Sequence, residues 1–165
     1  MTAYDPTEWH DLFVAAAGAS AALLGLLFVA ISINLERILK YEGLPGRALE
    51  AMMMLTCVLL ASFAGLVPAQ SHVALGLELL LITAVIAAIV LHQPIVVTDE
   101  SGREPVSWKV TRWTVRLAGL APIAIAGLSL ALEAGGGLYW LAAGIVLATV
   151  AAIAGAWVLL VEILR

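Results

Sequence analysis

Val73-Ala-Leu-Gly-Leu-Glu78-Leu-Leu-Leu-Ile-Thr83-Ala-Val-Ile-Ala-Ala-Ile-Val-Leu-His92-Gln93 is a run of almost unbroken apolar sequence, at roughly twenty residues long enough to cross a bilayer as a helix. It is the middle of five such stretches, and Glu78 is a formal charge set well inside its apolar run. A carboxylate at that depth is costly in hydrocarbon, so it should face protein or water and is a functional-site candidate.

Working outward, the remaining spans run from Leu12 to Leu35, Ala48 to Val67, Val115 to Leu132 and Leu138 to Leu164. The chain of 165 residues is 63% hydrophobic and 12% charged, half the charge of a soluble domain at about 25%. That pattern reads as all-α: one integral membrane bundle of five transmembrane helices, with too little polar sequence left for a separate soluble domain. Cys57 stands alone, so no intrachain disulfide or Cys-x-x-Cys redox pair is available.

Residues 1–11 carry Asp5, Glu8 and Asp11 without a Lys or Arg. Asp5-Pro6-Thr7-Glu8 is a helix start, with an N-cap acid, Pro at the first helical position and a second acid in the first turn. A secretory signal would open on basic residues, so this N-terminus reads as retained. The pattern predicts one helix from Pro6 to Lys40, on the order of 50 Å long and therefore projecting from the bilayer. Glu42-Gly43-Leu44-Pro45-Gly46 breaks it, Pro68 stops the second span, and Gly135-Gly136-Gly137 makes the last turn. Residues 94–114 form the long polar connection: a small hairpin over Ile95–Val106, then a helical pattern from Ser107.

All eight basic residues, Arg37, Lys40, Arg47, Arg103, Lys109, Arg112, Arg116 and Arg165, lie in alternate connections or at the C-terminus. The positive-inside rule then places the N-terminus outside and the C-terminus in the cytoplasm. Lys109, Arg112 and Arg116, beside Trp108 and Trp113, read as an interfacial, lipid-contacting helix on anionic inner-leaflet lipid.

Small residues mark helix-packing faces: Gly18, Ala22 and Gly25 in the first span, Gly144, Ala148 and Gly155 in the fifth. Polar groups suggest an ion pathway. Glu78 lies roughly 8 Å below the outer end of its helix, and His92 ends the same helical stripe near the opposite face. Ser32 and Asn34 sit where the first span leaves the cytoplasmic side, and Glu133 joins Asp5, Glu8 and Asp11 in an outer acidic vestibule. Between Glu78 and His92 the stripe is apolar, so a path would need hydroxyls such as Thr56, Ser62, Thr83 or Thr149. The alternative is two independent interfacial groups.

Met53 and Cys57 have the spacing of a soft-metal pair, but without a nearby His or second Cys they read as core. His10 and His72, both on the outer side, could ligate haem or a metal together. The sequence has no Gly-rich phosphate loop, Ser-His-Asp order or paired active-site carboxylates, so no enzyme, cofactor or nucleic-acid partner is expected.

From His10-Asp11-Leu12-Phe13-Val14-Ala15 through Gly18–Leu26 to Ser32-Ile33-Asn34-Leu35-Glu36-Arg37, the chain resembles the opening of small bacterial multi-spanning membrane proteins of unassigned function. The resemblance implies a bacterial inner membrane and carries no site residues across. Five short helices can hardly enclose a wide pore, and the Gly/Ala faces exceed what one bundle needs, so a homo-oligomer is expected. The leading functional expectation is passage of protons or small cations. The alternatives are a non-transporting accessory protein that assembles with a partner membrane protein, and a redox protein using His10 and His72.

Overall fold

After a 3-10 turn at Thr2–Tyr4, Asp5 caps the turn that leads into the first span: its carboxylate accepts from the Thr7 amide at 3.0 Å and the Thr7 hydroxyl at 2.6 Å. With Pro6 next, the chain winds as a second tight 3-10 turn, Pro6–Trp9, a common opening for an α-helix. The fold comes from a computed structural model that describes residues 2–41, 43–93 and 106–164, with backbone only at 2, 106–109 and 162–164. Its α-helices are α1 (His10–Ile33), α2 (Leu35–Lys40), α3 (Leu44–Gly65), α4 (His72–His92), α5 (Val106–Leu132) and α6 (Leu138–Leu164). Among the described residues there is no strand.

The single helix expected from Pro6 to Lys40 is interrupted at Asn34. The Asn34 side-chain amide donates to the Ala30 carbonyl at 2.9 Å, while its own N–H is shared between Ala30 and Ile31 at 3.3 and 3.2 Å. A short amide side chain competing for backbone groups ends a helix in this way. Gly43 then turns the chain at φ 90°, a left-handed conformation that glycine adopts without a Cβ penalty. Ser71 caps α4 through its hydroxyl on the Ala74 amide. Helix α5 begins at Val106, so the last part of the expected 94–114 connection is helical. The expected hairpin lies outside the described residues, apart from Val106.

Helix α4 packs between α3 and α5, α6 closes the other side between the same two helices, and α1 lies against α3. Lipid is as apolar as a side chain, so close van der Waals fit has to hold the helices together. Glycines provide it: a Cβ on Gly76 of α4 would lie 2.7 Å from the Gly127 carbonyl oxygen of α5, and one on Gly144 of α6 would lie 2.5 Å from Ile123. A Cβ on Gly65 would meet the Phe13 ring at 2.5 Å, which seats α1 on α3. Phe13, Leu75, Leu79, Ile123, Leu130 and Leu141 are fully buried in the resulting core.

The outer surface is apolar as well, with Leu26, Phe28, Leu81 and Trp157 largely exposed. Among the described residues, five helices are long and apolar enough to span a membrane. This is a multi-spanning helical membrane protein whose outer face contacts lipid.

Candidate functional site

The two ends of the bundle differ in charge. One end holds the α1–α2–α3 connection, the end of α4 and the start of α5, with Arg37, Lys40, Arg47, Arg112 and Arg116. The other holds the N-terminus and the 66–71 and 133–137 loops, with Asp5, Glu8, Asp11 and Glu133.

At the basic end a single carboxylate serves two arginines. Arg112 and Arg116 are four residues apart on α5, so they share one face. The Nη2 of Arg116 lies 3.0 Å from Oε2 of Glu50 on α3, and the Nη2 of Arg112 reaches the same oxygen at 3.4 Å. Arg116 is 0% exposed, the largest fully buried side chain described. Its Nη1 also donates, at 3.5 Å, to the carbonyl of Gln93, at the C-terminal and electronegative end of α4. The guanidinium lies 5.8 Å from the centroid of the Trp113 ring. One cation therefore fastens α3, α4 and α5 together. Of the basic residues expected at the lipid headgroups, Arg116 is buried against Glu50, while Arg112 contacts the same carboxylate from the wall of an open cleft. Trp113 remains half exposed, and the side chains of Trp108 and Lys109 lie outside the described residues.

Next to these charges is a cleft of about 770 Å³ between α3, α5 and α6, which Arg47, Glu50 and Arg112 line together with apolar side chains. Gly155 lines it too, where a Cβ would touch Ala51 at 3.6 Å.

The residues expected on an ion pathway are not brought together inside the subunit. Glu78 is exposed on the outer side of α4, whose buried face is Leu75, Leu79, Thr83, Ile86 and Val90. Val85 and Ile89, on the stripe linking Glu78 to His92, also face outward. His92 interacts with the Ala88 carbonyl at 3.1 Å. The Ser32 hydroxyl donates to Phe28. The hydroxyls of Ser20, Thr56, Ser62, Thr83 and Thr149 each donate to a carbonyl of their own helix, and the Cys57 thiol is buried beside Thr83. Around them the core is hydrocarbon.

At the acidic end, where Asp5, Glu8, Asp11 and Glu133 are all exposed, the N-terminus packs on the loop and helix start that follow α5. Tyr4 accepts from the Gly136 amide at 3.2 Å, and Trp9 meets Tyr139 edge-on at 4.9 Å. Asp5 is engaged by Thr7, whose hydroxyl and amide hold its carboxyl below the usual aspartate range. Glu133, at φ 52°, has its carboxylate against the His72 ring, and the His10 ring lies 3.4 Å from the Asp11 carboxylate. The two histidines thus have separate carboxylate partners, and no group of three His, Cys, Asp or Glu side chains gathers among the described residues.

The packing faces divide. Gly144 and Ala148 are buried within the subunit. Gly18, Ala22 and Gly25 are exposed on α1, and a Cβ at Gly18 or Gly25 would have nothing within 4 Å.

Glu50 is the charged side chain at the centre of this cluster, and reading the sequence passes over it. It sits three residues into the second span, where it looks like an end charge. The signal was the i,i+4 pair Arg112/Arg116 in a connection on the same side of the membrane. No family model, curated protein or solved structure matches the chain, so its five apolar helices and this charged cluster are what characterise it.

Proposed function

We propose that the protein is a homo-oligomeric subunit of a bacterial inner membrane that acts by lateral association, without a solute path through its own bundle and without a catalytic step. The observation that carries this reading is the pair of unfilled outward faces. The small-residue face of α1, with Gly18, Ala22 and Gly25, is open, and on α4 the Glu78 carboxylate is exposed at membrane depth. Small residues let helix backbones approach closely, and an intramembrane carboxylate gains most from a protein partner. A second copy satisfies both needs, and a partner membrane protein with similar faces would use the same surfaces. The basic end is assigned to the cytoplasm by the positive-inside rule.

A second reading is favoured by the same outward position of Glu78: passage of protons or small cations along the boundary between subunits, with Ser32 and Asn34 toward the inner mouth. The two readings separate in liposomes. The assembly reading expects proton and K⁺ leak no greater than in protein-free vesicles. Flux that falls in Glu78→Gln, in a protein that still folds and assembles, would replace it with the conducting one.

A further inference from the structure

We propose that residues 2–9 form a clip that fixes the outer end of α1 and so holds its small-residue face ready for a second copy, an inference that rests on the lateral-association reading above. The need for a clip comes first. Helix α1 packs on α3 and touches α6 only lightly, whereas α3, α4, α5 and α6 each pack closely against two or more helices. Of the residues in its most apolar stretch, 22% are buried, against 56% in α3. Lipid supplies no hydrophobic force to press such a helix back onto the bundle, so individual anchors have to hold it.

The second observation is where the anchors lie. At the inner end, Ile38 of α2 is buried with Leu44 and Ala48 of α3 and Leu159 of α6. Toward the outer end, the Phe13 ring fills the notch at Gly65. Beyond it, residues 2–9 reach the turn between α5 and α6. The Ala3 backbone lies so close to Gly137 that a Cβ there would run into the Ala3 carbonyl oxygen. The Tyr4 hydroxyl accepts from the Gly136 amide at 3.2 Å, and the Trp9 ring meets Tyr139 at 4.9 Å. Gly136 and Gly137 have φ of 109° and 52°, a region that glycine enters without a Cβ penalty. The triple glycine is thus a seat for the N-terminal segment as well as a turn.

The third is what lies between the anchors. A Cβ at Gly18 or Gly25 would meet open space, and Ala22 between them is exposed. A helix already fixed in place loses less freedom when a partner docks on it. The clip therefore strengthens association without touching the partner.

The test compares the wild-type chain with the double variant Tyr4→Phe/Trp9→Ala by hydrogen exchange and by cross-linking through Ala22→Cys in membranes. Losing one hydrogen bond and one aromatic contact should speed exchange over residues 10–17 about tenfold and leave α4 unchanged. Cross-linking should fall severalfold in the same variant. Trp9→Phe, which keeps a ring against Tyr139, should resemble the wild type in both, and Tyr4→Phe alone carries the test if the double variant fails to fold. Unchanged exchange over residues 10–17, or full cross-linking from a variant whose α1 exchanges faster, would overturn the proposal. No cross-link in the wild type would remove the association reading, and the clip's role in docking with it, while the exchange data would still decide whether the segment holds α1.

Discussion

Removing the Glu50 carboxylate should be the most damaging single charge change in this protein. In Glu50→Ala, Arg116 would remain fully buried and would lose the oxygen now 3.0 Å from its Nη2, while Arg112 would lose the same oxygen at 3.4 Å. At an effective dielectric of about 20, one such attraction is worth roughly 5 kcal/mol before desolvation. Removing one partner of a buried pair costs about 3–5 kcal/mol, because the other charge stays desolvated and alone. Arg116→Met should cost less, about 1.5–3 kcal/mol for a lost charge-assisted bond, since Glu50 keeps Arg112. Arg112→Gln should cost least, about 1 kcal/mol, because the shorter Glu50–Arg116 contact survives. The predicted order is therefore Glu50→Ala, then Arg116→Met, then Arg112→Gln. Thermal unfolding in detergent, followed by tryptophan fluorescence, gives the ranking. A triple replacement of Glu50, Arg112 and Arg116 by Leu, Leu and Met should recover much of the loss, since apolar substitutes avoid the desolvation cost. A Glu50→Ala protein as stable as Arg112→Gln would refute the reasoning and mean that Arg116 has another route to solvation.

The packing makes sharper distinctions between glycines than their spacing does. Gly76→Leu should destabilise by about 3 kcal/mol or more in the same melt, since a Cβ alone would sit 2.7 Å from the Gly127 carbonyl oxygen. Gly25→Leu, with open space at its Cβ, should leave subunit stability within about 0.5 kcal/mol while lowering the oligomeric state seen by native mass spectrometry. Phe13→Ala should cost about 3–5 kcal/mol and free α1 from α3 first, measurable as lost amide protection in hydrogen exchange. The Thr7 donors hold the Asp5 carboxyl below its ordinary range. The protection of the Thr7 amide should therefore be full above the ordinary aspartate pKa and fade as pH falls through the lower folded value. Asp5→Ala should abolish it at every pH.

The bundle was legible because hydrophobic run length and helix-breaking residues act locally. The spans through Val73–Gln93 and Leu138–Leu164 are there as α4 and α6; Pro45 falls in the first turn of α3, Pro68 in the connection from α3 to α4, and the triple glycine just before α6. Asn34 was harder, since its effect on α1 depends on which carbonyl its amide captures. The contact of Arg112 and Arg116 with Glu50 was hidden for a different reason. Interfacial basic residues beside Trp suit headgroups on composition, and only the packing of α5 opposite α3 supplies Glu50. Gly144/Ala148 and Gly18/Ala22 have the same sequence signature but opposite environments, one inside the subunit and one outside. Spacing reports that a face can pack closely, not against what.

The central claim is that α1 joins one copy of the chain to another, and cysteine cross-linking in native membranes tests it most directly. Cys57 is fully buried, so an added thiol can be read almost alone. Ala22→Cys places one on the open face of α1, and Val150→Cys, exposed on α6, is the control. The account predicts a cross-linked homodimer from Ala22→Cys that Gly25→Leu diminishes, with little from Val150→Cys. Only monomer from both positions, in membranes where the protein is folded, would contradict it.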